Sequence, residues 1–126
     1  QELTLKIQNK SSADFKNNDV FKEIHDTIYN TQKPIIAGVN GVALGGGCEL
    51  SLLCDIFFAQ NKLDLGYPSS DLDLFWNWWN SKVIQSIFRL ARIAGKVNAM
   101  RYVLTSDFIP AKRAYELGIV SEVFKT

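Results

Sequence analysis

Three observations predict an α/β fold. Pro34 ends a helical stretch and releases an apolar, partly β-branched run, "PIIAGV". Three consecutive glycines, Gly45 to Gly47, then lead into a short apolar segment, "CELSLLC", after which "DIFFAQ" reads as a further strand. Strand, turn, helix and strand in so few residues is a βαβ layout, and the segments that follow continue to alternate helix with strand.

Taken in order, "LTLKIQN" (Leu3 to Asn9) alternates apolar and polar residues as a half-buried strand does. "NNDVFKEIHDTIYN" spaces Val20, Phe21, Ile24 and Ile28 on one helical face, with Asn17, Asn18 or Asp19 available as N-cap. The "PIIAGV" run is expected to be a buried strand, and the glycine turn is expected to open the helix that carries Glu49. Beyond Asn80, "SKVIQSIFRLARIAG" has Val83, Ile84, Ile87, Leu90 and Ala91 at helical spacing, with Gly95 closing it. "NAMRYVLT" and "PAKRAYELG" read as two shorter helices, the second running from Pro110 to Gly118, and "IVSEVF" reads as a final strand.

Composition narrows the function classes. The chain has 126 residues, enough for one domain with a real core, and we treat residues 1–126 as that single domain. With 14 basic and 13 acidic residues the formal charge is +1, which gives no field to gather nucleic acid or an anionic membrane. No apolar run approaches the roughly 20 residues needed to cross a bilayer, and no signal-peptide pattern opens the chain, so a cytoplasmic location is the expectation. Cys48 and Cys54 are six residues apart, about 240° around a helix, and make no disulfide framework. His25 is the only histidine, so no metal site is expected. The chain starts at Gln1 rather than methionine, which suggests a piece of a longer polypeptide.

A glycine-rich turn running from a strand into a helix exposes unpaired amides at the positive end of the helix dipole, where an anion or a developing oxyanion is stabilised. The spacing G-x-x-x-G-G-G from Gly41 is neither a dinucleotide fingerprint nor a P-loop. Two readings stay open on residues alone: a ligand brought close to the backbone, or glycines that only permit tight helix–sheet packing. Glu49 has the same two faces, since it is either a proton-exchanging group on an apolar segment or a first-turn carboxylate that complements the dipole.

"KPIIAGVNGVALGGGCELSLLCDIFFA" resembles the central motif of the crotonase superfamily, whose best-known members are the enoyl-CoA hydratases. "VLTSDFIPAKRAYELGIVSEVF" (Val103 to Phe124) resembles the later family segment, and "SSADFK" (Ser11 to Lys16) echoes the family's "A-G-A-D-(I/L)-K" loop. The resemblance implies a crotonase-like ββα spiral, of which this chain holds only the central part, with both flanks short. It also implies an acyl-CoA thioester substrate, with coenzyme A entering as part of the substrate and no separate cofactor. A homo-oligomer, trimer or hexamer, or an obligate partner subunit is implied as well.

Carried over residue by residue, the resemblance implies an oxyanion hole made by the amides of Gly46 and Ser11, with Ala13, Asp14, Gly45 and Ser69 beside the substrate. Glu49 matches the first of two glutamates with which hydratases hold and deprotonate the water added across the C2–C3 double bond. The second family glutamate falls in "(F/L)-G-x-P-E", where this chain has "LGYPS" with Ser69 in its place. Serine cannot act unaided as a carboxylate base, so Asp71 is the expected substitute and Asp73 a weaker one. The family's following "P-G-x-G-G" is replaced by "DLDLFWNWWNSKVIQ", whose aromatic residues suit an acyl pocket, a core or a subunit contact. The leading expectation is an enoyl-CoA hydratase. The alternatives are a single-carboxylate crotonase enzyme, such as an enoyl-CoA isomerase, thioesterase or decarboxylase, and a non-catalytic assembly subunit.

Overall fold

The computed structural model describes residues 19–67 and 85–125. The expected strand at Leu3 to Asn9, the "SSADFK" loop and the aromatic segment after Pro68 lie outside them.

Helix α1 (Asp19–Asn30) half-buries Ile24, His25 and Ile28 and exposes Lys22, Glu23, Asp26 and Thr27. That division follows the 3.6-residue period of its sequence. Its last turn is closed by side chains that donate back to carbonyls, Asn30 Nδ2 to Asp26 at 2.7 Å and Thr31 Oγ1 to Thr27 at 2.6 Å. The chain then enters strand β1 (Ile36–Val39).

β1 is not the buried strand its composition suggests. Among the described residues it lies at one end of a parallel sheet ordered β1-β3-β6, formed with β3 (Ile56–Gln60) and β6 (Glu122–Phe124), and Ile36 is 57% exposed. Among the described residues β1 has a partner on one side only, and alternate residues of it face outward. The register pairs Ile36 with Ile56 and Val39 with Ala59, and then Phe58 with Glu122 and Gln60 with Phe124. Asp55 fixes the entry to this sheet, its carboxylate accepting the Ile35 N–H at 2.8 Å while its own N–H donates to the Ile35 carbonyl at 2.9 Å.

The apolar run continues past β1 but changes sheets. Gly41, at φ 96°, makes the turn, and β2 (Val42–Leu44) pairs in parallel with β4 (Asp64–Gly66), which pairs antiparallel with β5 (Ile109–Pro110). Left-handed φ at this point requires glycine. The sequence reading ends its strand at Val39 and assigns none to Val42–Leu44. The structure sets β1 and β2 in two sheets, and it is β2 that feeds the glycine turn.

Helix α2 (Gly46–Leu53) follows, packed on β2, on α1 and on α3 (Gln85–Ala94). Gly95, at φ 81°, is the single residue between α3 and α4 (Lys96–Thr105), which pack against each other. Helix α5 (Ala111–Glu116) starts directly after Pro110 and ends near Gly118, at φ 74°, where the Ile119 N–H returns to the Ala114 carbonyl at 2.9 Å. Ile119 and Val120 are buried, but the last strand pairs only from Glu122. Leu63, Leu65, Leu90, Ile109, Val120 and Cys48 form the fully buried centre of the core. Among the described residues no helix is long and apolar enough to cross a membrane.

Candidate active site

The site is built where β2 ends. Gly45 has φ 52° and ψ −118°, a backbone conformation open to glycine, and its N–H donates to the Gly66 carbonyl at 2.9 Å. This bond ties the turn to the neighbouring strand β4. The Gly45 carbonyl in turn accepts the Glu49 N–H at 3.0 Å, the first hydrogen bond of α2. Gly46 is the first helical residue, so its amide has no intrahelical acceptor, and among the described residues no backbone carbonyl accepts it.

Gly46 and Glu49 are three residues apart on α2, and therefore one above the other on the same helix face, with neighbouring side-chain origins about 5–6 Å apart. Both are half-buried. The arrangement presents an N–H donor at the positive end of a helix dipole with a carboxylate one turn away. Chemically it can hold a carbonyl oxygen as negative charge develops and exchange a proton beside it.

Beneath this face Cys48 is almost completely enclosed. Burial pushes its thiol up to about 12 from the ordinary 9.0, and the neighbouring Glu49 carboxylate adds to the rise, while hydrogen bonds from Tyr67 and the Gly66 backbone pull the other way. It is a neutral packing group at physiological pH rather than a nucleophile. Cys54, at the C-terminal end of α2, donates its thiol to the Leu50 carbonyl at 3.3 Å, and both cysteines are free. Ser51, also buried, donates to the Gly47 carbonyl at 2.8 Å and holds the first turns of the helix together.

Of the residues expected at the site, Gly45, Gly46 and Glu49 come together on this turn. Ser11, Ala13, Asp14, Ser69 and Asp71 lie outside the described residues, as do Asp73 and the tryptophans. Sequence reasoning missed Gly66, whose carbonyl anchors Gly45, and the Cys48–Tyr67 pair below it. The available signal was "LGYPS" itself, which drew attention to Ser69 and away from the glycine three residues earlier.

With this geometry, the pattern of the Enoyl-CoA hydratase/isomerase family matches residues 2–126. The chain belongs to the enoyl-CoA hydratase/isomerase family. Among curated relatives, the "Probable enoyl-CoA hydratase, mitochondrial" of Dictyostelium discoideum is 42% identical over 110 residues, 87% of this chain and 37% of that protein. The enoyl-CoA hydratase, mitochondrial, of Pongo abelii is 37% identical over 117 residues, 93% of this chain and 38% of that protein. Among solved structures, a monofunctional enoyl CoA isomerase from M. smegmatis superposes with a TM-score of 0.70 at 26% identity, covering 82% of this chain and 46% of that one. This hydratase/isomerase-family chain therefore has the crotonase fold and spans less than half the length of each of these three proteins.

Proposed function

We propose that this chain supplies the oxyanion-binding and base-bearing part of an enoyl-CoA hydratase site. In this reading the thioester carbonyl of an acyl-CoA accepts from the Gly46 amide and from the amide of Ser11. A water held by Glu49 and Asp71 gives up a proton and forms a bond to C3. The C2–C3 π electrons move toward the thioester oxygen, where the amides stabilise the enolate, and the enolate then takes a proton at C2. Atoms balance as the addition of one water across one double bond. Coenzyme A is part of the substrate, and no further cofactor takes part in these steps.

The observation that carries the proposal is the Gly46–Glu49 pair, donor and carboxylate on one helix face, with Gly45 held by the 2.9 Å bond to Gly66. Serine at position 69 favours one second reading: an isomerase in which Glu49 alone moves a proton along the acyl chain.

Substitutions measured on the same enoyl-CoA separate the two. Glu49→Gln keeps shape and amides but removes the proton acceptor, so thioester binding survives while turnover falls by roughly two to four powers of ten. Asp71→Asn costs a comparable factor if two carboxylates orient one water, and little in a single-base isomerase. Water addition and double-bond migration are followed side by side. If the unmodified protein turns over no acyl-CoA above background, a non-catalytic assembly subunit takes the enzyme's place; if it is active and Glu49→Gln changes nothing, Glu49 is refuted as the base.

A further inference from the structure

Gly66 joins three contacts. Its carbonyl accepts the Gly45 N–H, its backbone hydrogen-bonds the buried Cys48 thiol, and Phe108 closes over its remaining face. A β-carbon placed at residue 66 would stand 3.3 Å from Phe108 Cδ1 and 3.5 Å from the Asp107 carbonyl oxygen. At Gly38, Gly41, Gly45, Gly47, Gly95 and Gly118 the same construction meets nothing within 4 Å. Among the glycines compared, close approach is confined to Gly66, where the Phe108 ring edge comes nearest and the backbone of Asp107 and Phe108 follows. The register explains it: Leu65 pairs with Ile109 in the antiparallel β4–β5 ladder, which sets residue 108 opposite residue 66.

Phe108 is nonetheless 45% exposed, so it is no ordinary core residue. Its ring lies beside the end of β4, and the Gly66 carbonyl at that end accepts the Gly45 N–H of the glycine turn. We propose that Phe108 is a positioning residue for the oxyanion turn, acting through Gly66 on Gly45 and so on the direction of the Gly46 amide. The inference rests on the proposed function above and adds to it a residue well outside the glycine motif. Without the ring, Gly66 can shift into the vacated space, the Gly45–Gly66 bond loosens, and the Gly46 N–H points over a wider range. Catalysis by a fixed donor is sensitive to such displacement, about 10²-fold for a misplacement near 1 Å.

The test uses the purified protein, a substrate enoyl-CoA, and a conjugated aryl enoyl-CoA whose absorption moves to the red when its carbonyl is polarised. Phe108→Ala is expected to lower kcat roughly tenfold with KM changed less than about twofold, and to reduce the red shift of the bound aryl thioester. Phe108→Tyr keeps the ring, with its hydroxyl able to reach solvent, and restores both. Should Phe108→Ala fold poorly, Phe108→Leu retains an apolar cover without the flat ring and is expected to lie between the two. A lower melting temperature with kcat and red shift both intact overturns the proposal and leaves Phe108 a cover only. If the unmodified protein binds the aryl thioester with no red shift, the oxyanion reading falls and this inference with it, a result distinct from loss of the shift in the variant alone.

Discussion

Replacing Gly45 by alanine tests the turn at its most constrained point. At φ 52° and ψ −118°, Gly45 lies outside the regions open to residues with a β-carbon, and moving it into the left-handed helical region requires ψ to swing through more than a right angle. A β-carbon there meets no atom within 4 Å, so the cost is entirely backbone and not packing. Such strain is worth about 1–3 kcal/mol, a large part of a typical domain stability of about 5–15 kcal/mol. The turn has two ways to respond. If it keeps its shape, Gly45→Ala loses stability by that amount and keeps its activity. If ψ relaxes, the Gly45–Gly46 peptide rotates, the Gly46 N–H leaves its direction, and turnover falls by the 10²–10³ that removal of one oxyanion donor costs, with a smaller loss of stability.

Gly47→Ala is the control, since Gly47 lies inside α2 with open space around it, and alanine is favoured there by up to about 1 kcal/mol. Urea midpoints at constant m-value, together with kcat on an enoyl-CoA, read both quantities. The reasoning is refuted if the two alanines shift stability in the same direction, or if Gly45→Ala is both as stable and as active as the unmodified protein.

Two further predictions concern stability. Ser106, at the C-terminal end of α4, is the only non-glycine among the described residues with positive φ, at 57°, and its buried hydroxyl has no hydrogen-bond partner among them. Ser106→Gly is therefore expected to raise stability by about 1 kcal/mol in thermal melts, and Ser106→Ala, which keeps the backbone strain, by less. The second prediction follows from Cys48, whose folded-state thiol is raised above its unfolded value. Its contribution is complete below pH 9, and it declines by about 1.4 kcal/mol per pH unit as pH rises from 9.0 toward 12. Alkaline unfolding compared between the unmodified protein and Cys48→Ala should show a shallower pH slope in the variant, and equal slopes would contradict the assignment.

Long periodic segments were legible in the sequence because their signal repeats. The helices at Asp19–Asn30, Gln85–Ala94 and Lys96–Thr105 recur every 3.6 residues over several turns. The glycine turn was legible for a different reason: three glycines before an apolar helix leave few alternatives. β4 and β5, three and two residues long, are too short to show any period, and "DLG" contains a single large apolar residue. The break after β1 was signalled by Asn40-Gly41, a turn dipeptide, but β2 beyond it was not assigned. The exposure of Ile36 was beyond reach for a physical reason, since strands of the same composition are buried or half-exposed according to what packs on their faces.

The candidate site divides along the same line between backbone and side chain. An oxyanion donor is an amide, which any residue except proline provides, so serine at position 11 leaves that function possible and its residue type says little about it. The Gly66 carbonyl is equally anonymous, and only the approach of Phe108 and the Asp107 carbonyl, which would crowd a β-carbon, favours glycine there. A carboxylate differs because its chemistry resides in the side chain, so under the proposed function serine at position 69 leaves the second acid–base role to Asp71. An amide donor therefore tolerates a change of side chain where its backbone angles allow one, as those of Gly45 do not, while a carboxylate position tolerates none. The choice between hydratase and isomerase consequently rests on Asp71, the one substitution among those proposed here whose effect differs between the two reactions.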